Sequence, residues 1–474
     1  MRRLATIRAG AVCGLLALAA GTTGCGTERG PAPGASPTDP CRGLALPESE
    51  HFVTNGLCAR AVATAQGRLR QISFAPNGDL FGVTRQGAVR RYRDQDGNGV
   101  FDPGTEDVVD WSHTGGNGNN IHIDAAGGFA YAGSPDGVVR WAYAEDLDRA
   151  GPPEDVVVGQ PSAGDHALHT VHVYQGWLYV HSGSEGDASA PMSPRYDTER
   201  SLLKRFELSK LRSGEPFHWS TDGEVFAVGL RNMVGFTQDA AGRLYGVDNG
   251  LDGALYRGED VEHDNPGEPV VRLDLGSAHG SPFCFTAQRI VLPGGAGVVR
   301  PGTPLATEVA DLDNPHDDAW CAENARPPET FLQAHSAPLD LAFFDGPAGA
   351  LPERWRGGAF VAVHGSWERR PSTGYQVLWI AFDAQGHAGM PTSTEASTTF
   401  PHEIVFGRGT SAGPVEGQWS WSAGGTGESL VRPVGVAVSP TDGALYVSSD
   451  NAPVFEGPED VENGALYRIG EKRD

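Results

Sequence analysis

A pattern of short strands and tight turns recurs six times along this 474-residue chain, and this repeat constrains the fold more than any other feature. In each copy, apolar residues occupy every second position of a strand, and glycine-containing turns lead into a second and a third strand. The copies begin near Arg70, Asn120, His169, Asn232, Ala337 and Arg432. The first four copies begin about 50 to 60 residues apart, and before the fifth copy an insertion covers about residues 258–335.

One repeat unit is too small to bury its own apolar face. Radial stacking of six units buries these faces and leaves few exposed sheet edges. The 65 glycines and 34 prolines match the many tight turns that such a fold needs. The sequence therefore predicts an all-β protein, a six-bladed β-propeller that spans residues 41–474.

Polar residues stand just ahead of the first strand in several copies. In a propeller the first strand of each blade lines a central channel, so the loops that lead into these strands meet at one end of it. Side chains that are far apart in sequence converge there. The residues at these positions are Asn117, Asn119, Asp165, His166, Arg231, Asn232, His335, Ser336 and Arg432.

The chain is acidic, with 60 Asp and Glu residues against 36 Lys and Arg residues and a net charge of −24. Such a charge repels a phosphate backbone, so nucleic acid is not expected as a partner. An anionic ligand would need a local cluster of arginines that stands against this trend.

The N-terminus has the pattern of an export signal. Basic residues precede an apolar run over residues 9–20, which is too short to cross a bilayer, and Thr22–Cys25 resembles a bacterial lipobox. Residues 1–25 are therefore predicted to be a signal peptide of the lipoprotein type, with simple cleavage and release as the alternative. Residues 26–40 form a Pro/Gly/Ser-rich tether. We expect an exported protein of the cell envelope or periplasm, lipid-anchored through Cys25, or secreted.

Four cysteines remain after the leader: Cys41, Cys58, Cys284 and Cys321. An even number in an exported protein predicts two disulfides. Three pairings are possible. The pairing Cys41–Cys58 with Cys284–Cys321 is favoured, because each pair then brackets one loop-rich segment.

Several of these motifs resemble the glucose/sorbosone dehydrogenase family, whose members are six-bladed propellers that use pyrroloquinoline quinone. The most specific motif is GLRNMVGF at residues 229–236. Residues 335–344 (HSAPLDLAFF), 354–377 and 431–450 match as well, and GDHALHTVHV at residues 164–173 fits more loosely. Together the matches extend over most of residues 56–470.

The resemblance implies a role for each matched residue. His166 corresponds to the base that removes a proton from the sugar hydroxyl, and Asp165 lies beside it. Arg231 and Asn232 correspond to the pair that polarises a quinone carbonyl and holds it. The remaining implied quinone contacts are Arg432, Arg369, Arg370, Ser336 and Asn117.

Calcium is expected at one or both of two loops. The resemblance implies that the carbonyl groups of Gly250 and Leu251, in the sequence VDNGLDG, hold a calcium ion that contacts the quinone. A second loop carries oxygens at alternate positions with glycine at the sixth, like the first part of a calcium loop: Asp94, Asp96, Asn98, Val100 and Asp102. An ion there would be structural, and the alternative is a polar turn.

The leading hypothesis is therefore an oxidoreductase that oxidises a sugar, or a related polyol or aldehyde. Hydride passes to bound quinone, and the electrons then pass to an external acceptor. The second hypothesis is a cofactor-free propeller of the cell envelope that binds carbohydrate or a protein partner. A propeller hydrolase with catalytic calcium fits less well, because arginines and histidines outnumber carboxylates at the channel entries.

Overall fold

The computed structural model describes residues 51–102, 104–116, 118–186, 199–309, 313–347, 349–366, 369, 373–408, 432–450 and 464–472. The predicted leader, tether and lipidated Cys25 lie outside these ranges, as do Cys41, Asn117 and Arg370. Statements about structure below concern the described residues.

Six antiparallel sheets form the six blades of a β-propeller, which confirms the predicted fold class. The inner strands run beside one another around the axis, and each begins within one residue of the start of a sequence repeat. They are Leu69–Phe74, Ile121–Asp124, Thr170–Tyr174, Met233–Gln238, Pro338–Phe343 and Pro433–Val438.

Each blade adds three further antiparallel strands to its inner strand. The second strands are Leu80–Thr84, Phe129–Ser134, Trp177–Ser182, Leu244–Asp248, Ala359–Val363 and Leu445–Ser449. The third strands are Ala88–Tyr92, Gly137–Ala142, Leu202–Glu207, Glu268–Leu273, Gln376–Ile380 and Ala465–Glu471. The fourth strands are Val108–His113, Glu154–Val158, Glu224–Val228, Thr330–Leu332, Glu403–Arg408 and Leu57–Ala63.

Short elements extend this core. A fifth strand borders three blades: Phe217–His218, Ser277–Ala278 and His51–Val53. Small hairpins join Leu255–Tyr256 to Glu259–Asp260, Cys284–Thr286 to Pro304–Ala306, and Thr392–Ser393 to Thr398–Thr399. One α-helix covers Asp318–Asn324, and single 3-10 turns cover Leu208–Lys210, Glu262–Asp264, Pro293–Gly295 and Glu353–Trp355. In the part of the chain that the structure describes, no helix has the length and apolarity needed to cross a membrane.

The ring is closed by the start of the chain. Leu57–Ala63 pairs with Ala465–Glu471 and becomes the outermost strand of the sixth blade, while His51–Val53 pairs with the fourth strand of the fifth blade. The last blade is therefore completed by a strand that precedes the first blade in sequence.

Apolar clusters fill each of the six interfaces between neighbouring blades. Between blades one and two, for example, Phe81 and Trp111 pack edge-on, and Trp111 packs against Trp141. Each interface buries the apolar faces of two sheets, which removes the exposed faces that one repeat alone could not cover.

A small apolar cluster, the plug, lies near the starts of three inner strands. It consists of Val234, Leu339 and Val434, one from each of blades four to six. The Gln71 amide donates hydrogen bonds to the carbonyl oxygens of Val234 and Leu339, at 3.0 and 2.8 Å. We call the end where the inner strands begin the site end. A cavity of about 480 Å³ towards the far end is lined by residues of all six inner strands.

Part of the predicted insertion belongs to the sheet of blade four. Glu268–Leu273 and Thr330–Leu332 are the third and fourth strands of blade four, so the long excursion lies between them. Cys284 and Cys321 form a disulfide within this excursion, which confirms that predicted pair. Cys58 is also disulfide-bonded, and its predicted partner Cys41 lies outside the described residues.

Removing the Cys284–Cys321 disulfide is expected to lower the free energy of unfolding. The bond closes a loop with a sequence separation of 37, so its loss frees the unfolded chain. The double variant Cys284→Ser/Cys321→Ser should lose about 2–4 kcal/mol, measured by urea unfolding of the purified protein. An unchanged unfolding midpoint would show that the excursion is stable without the bond.

Candidate active site

Gly183 lies between the two residues to which the resemblance assigns catalysis. A side-chain carbon built on Gly183 would lie 2.7 Å from Cβ of His166 and 3.3 Å from the carbonyl oxygen of Arg231. The first distance is well below a carbon–carbon contact, so glycine alone fits between them. Blades three and four therefore bring His166 and Arg231 together at the site end.

Ser184 ties these two residues to one backbone segment. The Ser184 amide donates to the Arg231 carbonyl at 2.7 Å, and Nδ1 of His166 lies 2.7 Å from Ser184 Oγ. The Ser184 hydroxyl donates its one proton to the Gly186 carbonyl at 2.8 Å. Nδ1 of His166 must then be the donor to Oγ, so the neutral ring carries its proton on Nδ1 and a lone pair on Nε2.

His166 is held in its neutral form. Burial first, and then the positive charge of Arg231, lower the pKa of His166 to about 3. The ring is thus unprotonated at any pH near neutrality, which a proton acceptor requires.

Arg231 and Asn232 are held by a carboxylate at the end of the second strand of blade four. The two oxygens of Asp248 accept the backbone amides of Arg231 at 2.9 Å and Asn232 at 2.7 Å. The Arg231 guanidinium pairs with Asp252 at 3.0 Å. Burial raises the pKa of Asp248 to about 7, although these amides favour the charged form.

His335 braces the same loop from blade five. Its Nδ1 lies 3.3 Å from Asp252, and its Nε2 lies 2.7 and 3.1 Å from the carbonyl oxygens of Glu262 and Asn265. Burial opposes the charged ring, but the Asp252 hydrogen bond and the charges of Glu268 and Asp252 outweigh it and raise the pKa of His335 to about 9. His335 is therefore a cation that holds Asp252 in place.

The predicted calcium loop of blade four lies within this network. The Gly250 amide donates to the Glu268 carboxyl group at 2.6 Å, and Leu251 is buried. Burial raises the pKa of Glu268 to about 7. The carbonyl groups that the resemblance assigns to calcium thus belong to a loop fixed by Glu268, Asp252 and Arg231.

Three buried arginines, Arg68, Arg70 and Arg432, form an arginine cluster on blades one and six. Arg68 and Arg70 lie 3.8 and 3.7 Å from Asp450, and Arg432 lies 3.5 Å from Nδ1 of His364, whose Nε2 is 3.3 Å from Asp450. Although burial opposes it, His364, Arg70 and Arg68 hold the pKa of Asp450 well below its usual range. One carboxylate thus faces the guanidinium groups of Arg68 and Arg70, and His364 connects it to Arg432.

Polar side chains connect this cluster to blades two and three. Arg70 donates to Oδ1 of Asn119 at 3.4 Å, the Asn119 side-chain amide donates to Thr170 Oγ1 at 2.7 Å, and Thr170 donates to the backbone carbonyl of Val234 at 2.8 Å. Arg70, Asn119 and Thr170 lie at or next to the starts of inner strands, as Arg231 does, so the arginine cluster and the neighbourhood of His166 and Arg231 belong to the same end of the channel.

The arginine cluster fits an anionic group. Burial lowers the pKa of Arg70 to about 10, against the opposing charge of Asp450. Among the described residues, Nε of Arg68 and Nε of Arg70 are buried and have no hydrogen-bond acceptor. Buried donors of a charged group are costly without acceptors, so carboxylates at this position would complete the cluster.

The other predicted residues are placed differently. Asp165 is exposed, and its amide donates to the Glu185 carbonyl at 2.9 Å. Ser336 and Arg369 line a cavity of about 830 Å³ beside blade five, whose wall includes neither His166, Arg231 nor Arg432.

The second predicted calcium loop forms a compact polar turn on the surface. Asp94 Oδ2 accepts the Gly99 amide at 2.9 Å, Asp96 accepts the Asn98 amide at 3.0 Å, and Asn98 Oδ1 accepts the Val100 amide at 2.7 Å. Asp102 is exposed. Over the described ranges, no three acidic, histidine or cysteine side chains converge as a metal cluster would require, so calcium stays a prediction.

Sequence reasoning missed the residues that support the site: Ser184, Asp248, Asp252, Arg68, Arg70, His364 and Asp450. Ser184, Asp248, His364 and Asp450 share one position, the end of a second strand or just beyond it. In an antiparallel hairpin this position lies beside the start of the inner strand. A search there would have found them.

This arrangement can remove a proton and stabilise negative charge. His166 offers an unprotonated ring nitrogen, Arg231 a fixed positive charge next to it, and the arginine cluster an anion site at the same end. Such a set suits the removal of a hydroxyl proton together with electron transfer to an anionic, carbonyl-bearing group.

Comparison with known proteins agrees with this chemistry. The model of the TrAA12-like family matches residues 51–454. A pyrroloquinoline quinone-dependent pyranose dehydrogenase of Coprinopsis cinerea is 29% identical over 427 residues, which cover 87% of this chain and 55% of that protein. The chain thus spans about half the length of this relative. A pyrroloquinoline quinone-dependent sugar dehydrogenase of Hypocrea jecorina is 26% identical over 404 residues, covering 83% of this chain and 85% of that one.

Solved structures show the same fold. The holo form of the PQQ domain of the Coprinopsis cinerea pyranose dehydrogenase superposes with a TM-score of 0.72 at 27% identity, over 91% of this chain and 99% of that domain. A calcium structure of family AA12 from Trichoderma reesei gives a TM-score of 0.72 at 23% identity, over 90% of this chain and 98% of that one.

Proposed function

Because this chain belongs to the TrAA12-like family, we propose that it oxidises a sugar, or a related polyol or aldehyde, with pyrroloquinoline quinone as the hydride acceptor. The pyranose and sugar dehydrogenases among its relatives support this activity and disfavour a cofactor-free binding propeller. One observation carries the proposal: His166 and Arg231 meet at Gly183, at the end of the channel that also holds the arginine cluster.

His166 is the proposed base. Its Nε2 accepts the proton of the substrate hydroxyl, because Ser184 holds Nδ1 as the donor and leaves Nε2 as the acceptor. When bound, pyrroloquinoline quinone supplies the acceptor for the hydride from the same carbon. Placing the proton on a neutral base makes hydride loss from that carbon easier.

Arg231 and Asn232 are proposed to face the quinone carbonyl. The Arg231 guanidinium stays charged and stabilises negative charge on an oxygen, while Asp248 and Asp252 fix its direction. The arginine cluster of Arg68, Arg70 and Arg432 is proposed to hold the quinone carboxylates. Its buried Nε donors support this role.

The other expected contacts remain proposals. They are Asp165 beside the base, quinone contacts by Asn117 and Arg370, and calcium held by the carbonyls of Gly250 and Leu251 or by the loop at residues 94–102. A glucose- or sorbosone-type substrate is proposed within the broader class of sugars. We also propose export by residues 1–25, a tether over residues 26–40, and an external electron acceptor.

Reconstitution tests the function directly. The purified protein is incubated with calcium and pyrroloquinoline quinone, and dye reduction is followed with a panel of aldoses, with cofactor-free protein as the control. We expect quinone-dependent dye reduction with at least one aldose. An absorbance titration that detects no quinone binding would refute the proposal.

Ser184→Ala is expected to lower kcat by about 10- to 100-fold, because the proton position on His166 is no longer set. The 15N chemical shifts of the imidazole ring report which nitrogen carries the proton, and they should show a mixture in the variant. A purely structural role for Ser184 would leave those shifts unchanged and would lower the melting temperature instead.

A further inference from the structure

The cavity beside blade five, the lateral cavity, lies outside the proposed catalytic site. Its volume is about 830 Å³, which falls within the range of small-molecule sites. Strands of blade five form one wall, residues 263–289 of blade four form another, and the hairpin segment 396–400 closes the outside.

The wall is rich in amide and hydroxyl groups. Gln288, Gln333 and Gln376 contribute amides, and Ser336 and Thr373 contribute hydroxyls. Four of these five side chains are buried, and Gln333 is half-buried. A glutamine amide offers both donors and an acceptor, which suits a ligand whose neighbouring hydroxyl groups also do both.

One of these groups points to an absent ligand. Ser336 is only 3% exposed, and its Oγ makes no hydrogen bond among the described residues. A buried hydroxyl without a partner is costly. A ligand or an ordered water in the cavity would satisfy it.

The wall carries two arginines, Arg289 and Arg369, and two carboxyl groups, Asp264 and Glu403, so their formal charges cancel. Asp264 accepts hydrogen bonds from both Arg289 and Arg369, and Glu403 pairs with Arg354 at 2.9 Å. Burial lowers the pKa of His402 to about 4, so this ring is neutral. A neutral ligand therefore fits the wall better than an anion or a cation.

Aromatic and apolar surface completes the wall. Phe400 is half-buried between His402 and Phe331, with ring centroids 5.1 and 6.1 Å away, and Phe52 lines the cavity as well. A ring face beside amides matches a sugar, which has an apolar face of C–H groups and an edge of hydroxyls. We propose that the lateral cavity is a second saccharide-binding site, separate from the site of oxidation.

Hydrogen exchange measured by mass spectrometry tests this proposal without quinone, so it does not depend on the proposed activity. The probe is cellobiose at millimolar concentration. We expect slower exchange in segments 373–380 and 398–404. The variant Phe400→Ala should need about tenfold more cellobiose for the same protection, because the stacking surface is lost.

Two more variants make the test specific. Phe74 is half-buried and lines the far-end cavity, so Phe74→Ala is the matched control and should keep the wild-type protection. Thr373→Val replaces the hydroxyl that donates to Gln333 by a methyl group. This variant takes the place of Phe400→Ala in the test if Phe400→Ala fails to fold. Absence of protection in these segments, or full protection in both Phe400→Ala and Thr373→Val at the same concentration, would overturn the proposal. Protection confined to residues 164–186 and 229–252 would also overturn it, because cellobiose would then occupy the central site alone.

Discussion

Replacing His166 with alanine is expected to lower kcat for sugar oxidation by about 10²- to 10⁴-fold. The variant loses the only group proposed to accept the hydroxyl proton, whereas the arginine cluster that is proposed to hold the quinone carboxylates is untouched. Quinone binding, measured by absorbance titration, should therefore stay close to wild type. Steady-state dye reduction with the best aldose of the panel measures the loss.

His218 offers a matched control, because it is an exposed histidine away from the site. His218→Ala should turn over like the wild type. If His166→Ala keeps most of its turnover, the proton acceptor is another group. The proposed role of Ser184 would then also be lost, since it acts through His166 alone.

Acidification from pH 6.5 towards 4 is expected to unfold the protein steeply. Burial lowers the pKa of eight histidines, among them His181 and His364 to about 4. Each binds a proton less readily when folded than when unfolded, where its pKa is about 6.5. Their contribution to stability is therefore complete above that pH and is lost as the pH falls.

Three buried carboxyl groups act in the opposite direction. Burial raises the pKa of Asp248 and Glu268 to about 7 and that of Asp340 to about 8. Near pH 5 these groups therefore carry a proton in the folded state and release it on unfolding. Eight histidines against three carboxyl groups leave about five protons taken up on unfolding near pH 5. Each proton adds about 1.4 kcal/mol per pH unit to the slope.

Urea unfolding at a series of pH values measures this slope. His172→Gln is the informative variant, because glutamine can still donate to Gln238 but cannot be protonated. It should reduce the slope by about 1.4 kcal/mol per pH unit. A free energy of unfolding that stays level between pH 6.5 and 5 would contradict the prediction.

The fold was largely predictable from the sequence, because the alternation of apolar residues marks the inner strands directly. The closing strand Leu57–Ala63 was not, since it precedes the first repeat and pairs with residues at the other end of the chain. Alternation identifies a strand with one buried face, but it does not identify the strand that becomes its neighbour.

The site was predictable where residues directly precede inner strands. Arg231 and Arg432 are examples, because the starts of all inner strands lie at the same end of the channel. Ser336 has the same place in its repeat but lines the lateral cavity. Its neighbours His335 and Ala337 both adopt a left-handed backbone, with φ of 58° and 52°, which redirects this short segment. Histidine adopts this conformation more often than most residues, but alanine gives no sign of it in the sequence.

Closure by the first strand also affects how the chain can mature. Leu57–Ala63 cannot pair until its partner strand Ala465–Glu471 has been synthesised, because the two strands are about 400 residues apart in sequence. Contacts between such distant segments form slowly. The ring should therefore be the last feature to assemble. A truncation that removes either strand would leave an open, adhesive edge and an aggregation-prone product.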